Sequence, residues 1–293
     1  MKVLVVGCGY VGIALGAELV RQGHEVFGLR RSRNAEQETR AAGIVPVFGN
    51  ITERATLDTL PTTFDWVVDC VSATGGGAED YRRVYVEGAQ NLVDWLRGSH
   101  LKKLVYTSST GLYGQDDGSR VDETSVTAPG TATGRVLVQA EQWFLDAARH
   151  GFPAVVLRVA GIYGPGRGYW LKQFLAGEAR IEGKGARVLN MIHRDDVVGA
   201  VIAALQRGRP GEVYNVVDDE PVSQLDMFEW LAAKLGRSLP PSRSEDSKAN
   251  RKRGVTSKIV SNRRLRTELA YQLKYLTFRE GFAAEIERTQ PSA

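Results

Sequence analysis

The chain has 293 residues, 43% of them apolar, and a formal net charge of +4, which is enough to bury one large core or two domains and too apolar for a disordered protein. Its basic residues are mostly interspersed with acidic ones rather than gathered in a stripe, so nucleic acid is excluded as an expected partner. Cys8 and Cys70 give neither a disulfide framework nor metal-ligand spacing; no metal is expected and both read as small apolar fillers.

Val3-Leu4-Val5-Val6 reads as a buried strand that runs directly into Gly7-Cys8-Gly9-Tyr10-Val11-Gly12, a GxGxxG turn. With 32 glycines in the chain, the bare spacing arises by chance about 0.4 times per sequence of this length. Position decides the matter, because the turn follows a β-type run and precedes the helical spacing Val11, Leu15, Leu19. In such a turn the first glycine permits a tight bend, the second lets backbone approach a pyrophosphate, and the third lets the next helix pack on the sheet. The helix N-terminus then holds the anion. Gly7, Gly9, Tyr10, Val11 and Gly12 are therefore candidate dinucleotide-binding residues. The apolar stretch up to Val20 is broken by glycines and by Glu18, which argues against a signal peptide; a cytoplasmic location away from any membrane is expected.

The next strand, Glu25 to Leu29, ends in Arg30-Arg31-Ser32-Arg33. NAD sites place an Asp or Glu near this point for the ribose 2′-hydroxyl, whereas an arginine accommodates a 2′-phosphate. Arg30 and Arg31 thus predict NADP rather than NAD, the alternative being an ordinary solvated basic turn. Further strands are expected at Val45 to Phe48, Trp66 to Ser72, Lys103 to Thr107 and Ala154 to Val159. Between them, Glu79 to Arg97 has helical spacing, with Tyr81, Val84, Tyr85, Gly88, Leu92 and Trp95 on one face. This alternation predicts a doubly wound parallel α/β Rossmann sheet over residues 1–160. After Gly161 a Gly/Pro-rich loop, shorter helices and isolated strands such as Glu212 to Val217 predict a smaller substrate-binding lobe over 161–293, with some segments returning to the core. Arg237 to Gly254 reads as a basic loop, in which Arg243, Lys248, Arg251, Lys252 and Arg253 either close over a diphosphate or are simply solvated.

Several landmarks coincide with one family. They are the N-terminal glycine turn, the run from Tyr106 through Ser109 and Tyr113 to Gly114, the run from Leu157 through Tyr163 to Gly166, His193-Arg194-Asp195-Asp196, and Tyr214-Asn215-Val216. Together they resemble the extended short-chain dehydrogenase/reductases, specifically the NAD(P)-dependent epimerases and dehydratases that act on nucleoside-diphosphate sugars. The resemblance implies that Ser109 hydrogen-bonds the substrate oxygen and that Tyr163 borders nicotinamide and substrate. It also implies that Asn50 stands at the adenine, that Val71, Ser72 and Ala73 flank the ribose, and that Thr107 and Ser108 lie on the cofactor side. Ser108 and Ser109 read equally as a polar strand end. A small-molecule substrate, either a nucleotide sugar or a related polar carbonyl, is implied, as is a homodimer paired through helices Glu79 to Arg97 and Thr133 to His150.

One departure bears on mechanism. The family carries Tyr and, four residues later, Lys on the helix after the fifth strand. In that frame Pro129, Gly134, Glu141 and Gln142 fall in register, but Thr133 and Leu137 occupy the dyad positions. A shifted register offers Thr131 and Arg135; Arg135 would hold ribose or phosphate without moving a proton. Gly111-Leu112 replaces the acidic pair of the 4,6-dehydratases, so elimination by that route is not expected. Tyr113 is the nearest remaining phenol, otherwise a packing residue, and Thr133 is the nearest hydroxyl. His193 reads as a general base oriented by Asp195 or Asp196; the alternative is a helix start with Asp195 in a capping role. The expected function is an NAD(P)-dependent oxidoreductase or epimerase-like enzyme without the usual dyad; the alternative is a non-catalytic NADP(H)-binding sensor or scaffold.

Overall fold

Val3, Val5, Leu4 and Val6 are all buried, yet Val3 and Val5 belong to one core cluster and Leu4 and Val6 to another. This alternation is what a strand with both faces covered requires. The computed structural model describes residues 1–73, 75, 77–243 and 256–289. In it, seven strands form one sheet: β1 (Lys2–Val6), β2 (Glu25–Arg30), β3 (Val45–Phe48), β4 (Trp66–Asp69), β5 (Lys103–Ser109), β6 (Ala154–Val159) and β7 (Val213–Val216). Their order is β7-β6-β5-β4-β1-β2-β3 and every pairing is parallel. This is a doubly wound Rossmann sheet, and its order reverses between β1 and β4, where a crevice opens at the strands' carboxyl ends.

Helices cover both faces. On one side lie α1 (Tyr10–Arg21) and, from the C-terminal half of the chain, a long helix at Arg194–Arg207; Leu15, Leu19, Val197 and Val201 pack with Val3, Val105 and Val155. On the other lie α2, a helical stretch over residues 78–96, and α3 (Ala132–Arg149), whose Leu92, Val93, Ala140 and Phe144 pack with Leu4, Val67 and Val156. Arg194–Arg207 is α4; α5 (Gln224–Leu235) and α6 (Phe278–Thr289) follow. A third cluster, including Phe174, Leu189, Met227, Phe228, Leu231, Phe278 and Phe282, forms the interior of a smaller lobe beside the crevice.

Three boundaries differ from those read in the sequence. β4 ends at Asp69, not Ser72, because the Asp69 carboxylate accepts the Val71 N–H at 3.2 Å and turns the chain across Gly7. β5 runs on to Ser109, since Ser108 and Ser109 still pair with Arg158 and Val159. The strand expected at Glu212 to Val217 is not an isolated strand: as β7 it pairs Val213 to Val216 with Val156 to Val159 at the edge of the main sheet.

Beneath the carboxyl ends of β5 and β6 lies a buried ion pair. Arg158 on β6 and Glu141 on α3 are 5% and 4% exposed. The Arg158 Nε donates to both Glu141 oxygens at 3.1 Å and its Nη2 donates to Oε1. Ser108 Oγ donates to Glu141 Oε2 at 2.9 Å, and Arg158 Nη1 donates to the Tyr113 hydroxyl at 2.7 Å. Removing one member of such a pair strands a buried charge and costs about 3–5 kcal/mol. Glu141→Leu is therefore expected to reduce the unfolding free energy by about that amount in urea titration, and pairing it with Arg158→Met should recover most of the loss. A single variant as stable as the wild type would contradict this account of the pair.

Candidate active site

A cleft of ≈ 970 Å³ runs along the carboxyl edge of the sheet from the glycine turn to the small lobe. At its first end Gly7 takes φ +78°, and a Cβ there would stand 2.7 Å from the Val71 backbone. A Cβ at Gly12 would meet Gly7 O at 2.8 Å and Val5 at 3.1 Å, so this glycine serves the helix-to-strand contact and does not line the cleft. Gly9 differs: a Cβ there meets nothing closer than Gly7 O at 3.9 Å. α1 starts at Gly9 with no side-chain cap, which leaves first-turn N–H groups for an anion beside Tyr10 and Val11. These observations fit a dinucleotide's pyrophosphate.

Arg30 and Arg31, at the end of β2, also line the cleft. Arg30 Nη1 is buried without a hydrogen-bond partner among the described residues and lies 4.0 Å from Glu38 Oε2, so the guanidinium is only loosely engaged. Asn50 lines the cleft too, within a turn in which its Oδ1 accepts from Thr52 N at 3.2 Å and its Nδ2 donates to Glu53 at 2.9 Å. Val71 and Ser72 reach the wall. Ala73 does not; its N–H donates to the Tyr85 hydroxyl at 3.1 Å. Tyr81 precedes and Tyr85 lies within a π-helical segment, Arg82–Glu87, of α2, and both line the cleft. One extra residue per turn re-aims side chains in this way. Both also pack against the core beside Leu92 and Trp95, as the helical spacing predicts.

The middle of the cleft holds Thr107, Ser109, Thr133, Leu137 and Tyr163. Ser109 Oγ accepts the Gly111 N–H at 3.0 Å, which leaves its hydroxyl proton for an acceptor in the cleft. Thr107 Oγ1 donates to Asp69 O at 3.1 Å. Thr133 stands in the first turn of α3, where Thr131 caps the helix by accepting from Gly134 N at 3.1 Å. Tyr163 is buried against His193 and Phe282, and its hydroxyl has no partner. Burial is the first cause that raises its pKa, and nearby carboxylates add to it.

Four expected site residues are placed elsewhere or otherwise engaged. Tyr113 is fully buried outside the cleft, accepting from Arg158 and donating to Asn215 Oδ1 at 2.8 Å; burial raises its pKa despite Arg158, so it is no proton donor for a ligand in the cleft. Ser108 touches the cleft wall, but its hydroxyl is committed to Glu141. Arg135 is exposed on the far side of the α3 start, reaching only to Gly130 O at 3.5 Å. His193 is fully buried and caps α4 in place of Asp195: Nδ1 accepts from Asp195 N at 3.1 Å, which leaves Nε2 to donate to Glu285 at 3.3 Å. Burial lowers its pKa, against the pull of Glu285, and neither nitrogen is free to act as a base. Both cysteines are free thiols, and burial raises the Cys8 pKa to about 11. Of the basic loop, Arg243 is exposed in a two-residue strand, Ser242–Arg243, beside Ile181–Glu182; Lys248, Arg251, Lys252 and Arg253 lie outside the described residues.

The sequence pattern of the NAD dependent epimerase/dehydratase family matches residues 3–217, nearly three quarters of the chain. The chain belongs to that family. It is 28% identical over 282 residues to Protein YeeZ of Escherichia coli K12, covering 94% of this chain and 96% of that one. It is 29% identical over 241 residues to a 4-hydroxy-2-methyl-3-oxo-4-farnesyl-3,4-dihydroquinoline-1-oxide ketoreductase of Stigmatella aurantiaca, covering 78% and 72% respectively. A conserved protein of Silicibacter pomeroyi DSS shares its fold, with a TM-score of 0.80 at 31% identity over 98% of each chain. Among the described residues no helix is long and apolar enough to cross a membrane.

The first two glycines of the turn separate folding from binding. Gly9→Val should leave the melting temperature within about 2 °C of the wild type while weakening dinucleotide affinity at least about tenfold, because its side chain enters the cradle. Gly7→Val should instead lower the melting temperature, since its φ and the Val71 backbone both exclude a side chain. Thermal melting and cofactor fluorescence titration check both; unaltered affinity in Gly9→Val would remove the pyrophosphate from this turn.

Proposed function

We propose that the chain is an NADP(H)-dependent oxidoreductase of a polar carbonyl or carbinol centre held where the sheet meets the small lobe. The observation that carries this reading is the continuity of the cleft, from the glycine turn and Arg30, past Ser109 and Thr133, to Arg167, Trp170 and Arg187 on the lobe. A bound nicotinamide would supply or accept a hydride. What the chain contributes is placement and polarity: the uncapped start of α1 holds the pyrophosphate, and Ser109 directs its free hydroxyl proton to the substrate oxygen. Membership in a family of NAD-dependent enzymes and likeness to a ketoreductase support the reaction class. Nucleotide sugars are one substrate class the reading admits, since the lobe side offers arginines to a diphosphate.

A second reading is favoured by Thr133 and Leu137, which line the cleft where the family's Tyr and Lys would stand. A protein that kept the cofactor pocket and gave up proton transfer would act as an NADP(H) sensor. NADPH consumption with carbonyl probes supports the enzyme; tight cofactor binding with none supports the sensor. Cofactor choice is tested separately. An arginine with an unpartnered buried nitrogen suits a 2′-phosphate, and charge-assisted contacts of about 1.5–3 kcal/mol correspond to a preference of about ten- to a hundredfold for NADP(H) over NAD(H). The preference should shrink as salt rises and vanish in Arg30→Asp. Equal dissociation constants for the two cofactors in the wild type would reject it.

Ser109→Ala should lower kcat/KM by about tenfold or more with the cofactor dissociation constant unchanged, because one hydrogen bond to a developing oxygen charge is lost. Steady-state kinetics beside fluorescence titration reads both quantities, and an equal loss in each would assign Ser109 to binding instead.

A further inference from the structure

Lys258 lines the lobe side of the same cleft, immediately before the short strand Ile259–Val260 that pairs with Arg120–Val121. It is 3% exposed. Its Nζ donates to Tyr113 O at 2.6 Å and to Thr256 Oγ1 at 2.9 Å. An ammonium has three N–H donors, so one remains for a ligand in the cleft. No carboxylate among the described residues forms an ion pair with it. The neighbouring Arg187, itself 3.6 Å from Glu182, adds positive charge. Tyr113 presents its carbonyl to Lys258 and keeps its own phenol protonated. Burial first, and Arg187 second, lower the Lys258 pKa to about 8. A clamp between the Tyr113 turn and the 256–260 segment needs only a neutral donor; a desolvated amine costs more than that task requires.

We propose that Lys258 is the proton donor to the substrate oxygen, taking over the part that Thr133 and Leu137 leave vacant. This rests on the oxidoreductase reading above. As hydride adds to the carbonyl carbon, the C=O π pair forms an O–H bond with a proton from Nζ, and the neutral amine regains a proton from water. In the reverse direction the neutral amine takes the hydroxyl proton as hydride leaves the carbinol carbon. An amine that titrates near working pH does this well, because both of its forms are populated there.

The test compares the wild type with Lys258→Met and Lys258→Arg, using NADPH and three carbonyl probes: ethyl acetoacetate, ethyl pyruvate and acetoacetyl-coenzyme A. The wild-type kcat/KM for reduction should fall tenfold per pH unit above about pH 8, as the donor deprotonates. Lys258→Met should lose about 10²- to 10⁴-fold and the alkaline limb with it, while the NADPH dissociation constant stays within about twofold. Lys258→Arg should fare no better, because a guanidinium does not release its proton. A Met variant that keeps both rate and alkaline limb overturns the role alone, and an Arg variant at wild-type rate shows that charge suffices and also overturns it. A wild type that binds NADPH but reduces none of the probes overturns the oxidoreductase reading and this role with it. Should either variant fail to fold, the ¹³Cε shift of Lys258 in the wild type decides: a midpoint near pH 8 supports the proposal, and one at about 10.4, the ordinary lysine value, overturns it.

Discussion

The ion pair between Arg158 and Glu141 is the constraint around which the cleft end of the sheet is built. Two charges buried under the strand ends are tolerable only if each is fully hydrogen-bonded. Meeting that demand draws in Ser108 from β5, Tyr113 from the following turn and, through Tyr113, Asn215 from β7. Asn215 is in turn tied to Glu123 and Ser261. The pair thereby fixes α3 against β5 and β6 at the level where the cleft begins. With Ser108 turned inward, the alternation of a strand sends Ser109 to the other face and into the cleft. Burial opposes the charge of Arg158, yet its bonds to Glu141 more than offset this and hold the guanidinium protonated more firmly than usual.

A second constraint acts at the point where the sheet changes direction. β1 and β4 diverge into separate connections there, and the chain after β4 crosses directly over Gly7. The crossing works because Gly7 has no side chain, and Cys70 reinforces it by donating to Val6 O at 3.3 Å. The close approach brings Val71 and Ser72 beside the start of α1, so one face of the cradle is made by the strand order itself. The π-helical segment in α2 then turns Tyr81 and Tyr85 toward this edge, and Tyr85 holds the Ala73 N–H.

Six of the seven sheet strands were legible in the sequence because most are short apolar runs, β1, β4 and β6 almost wholly buried and edge strand β3 only in part; β7, at the other edge, was read as an isolated strand because its partner β6 lies more than fifty residues away. The glycine turn was legible for a related reason: it is built from backbone, and glycines mark where backbone must come close. Side-chain roles were not legible in the same way. Tyr113 and His193 sit at positions that read as catalytic and Ser108 at one that reads as cofactor-side, but a hydroxyl or imidazole has to satisfy its own hydrogen bonds first, and buried partners more than a hundred residues away in one case claimed them. Arg135 failed on direction alone, since helical phase at the first turn of α3 points it to solvent. Lys258 carried no pattern at all; only folding places a solitary lysine between Tyr113 and Thr256 and strips its water.

Thr133 and Leu137 also bear on the electrostatics of the cleft they line. A lysine at position 137 would stand one turn into α3, adding a cation to a wall that already has the positive end of the helix dipole nearby. Leucine leaves that wall apolar beside Val159 and Ala160. Arg167, Arg187 and Lys258 instead stand across the cleft, with Glu182 3.6 Å from Arg187. A ligand whose oxygen is to become more negative is therefore drawn toward the lobe rather than toward α3. On the sheet side such a ligand meets the hydroxyl of Ser109, whose proton is not used by its bond to Gly111, beside the hydroxyl of Thr133.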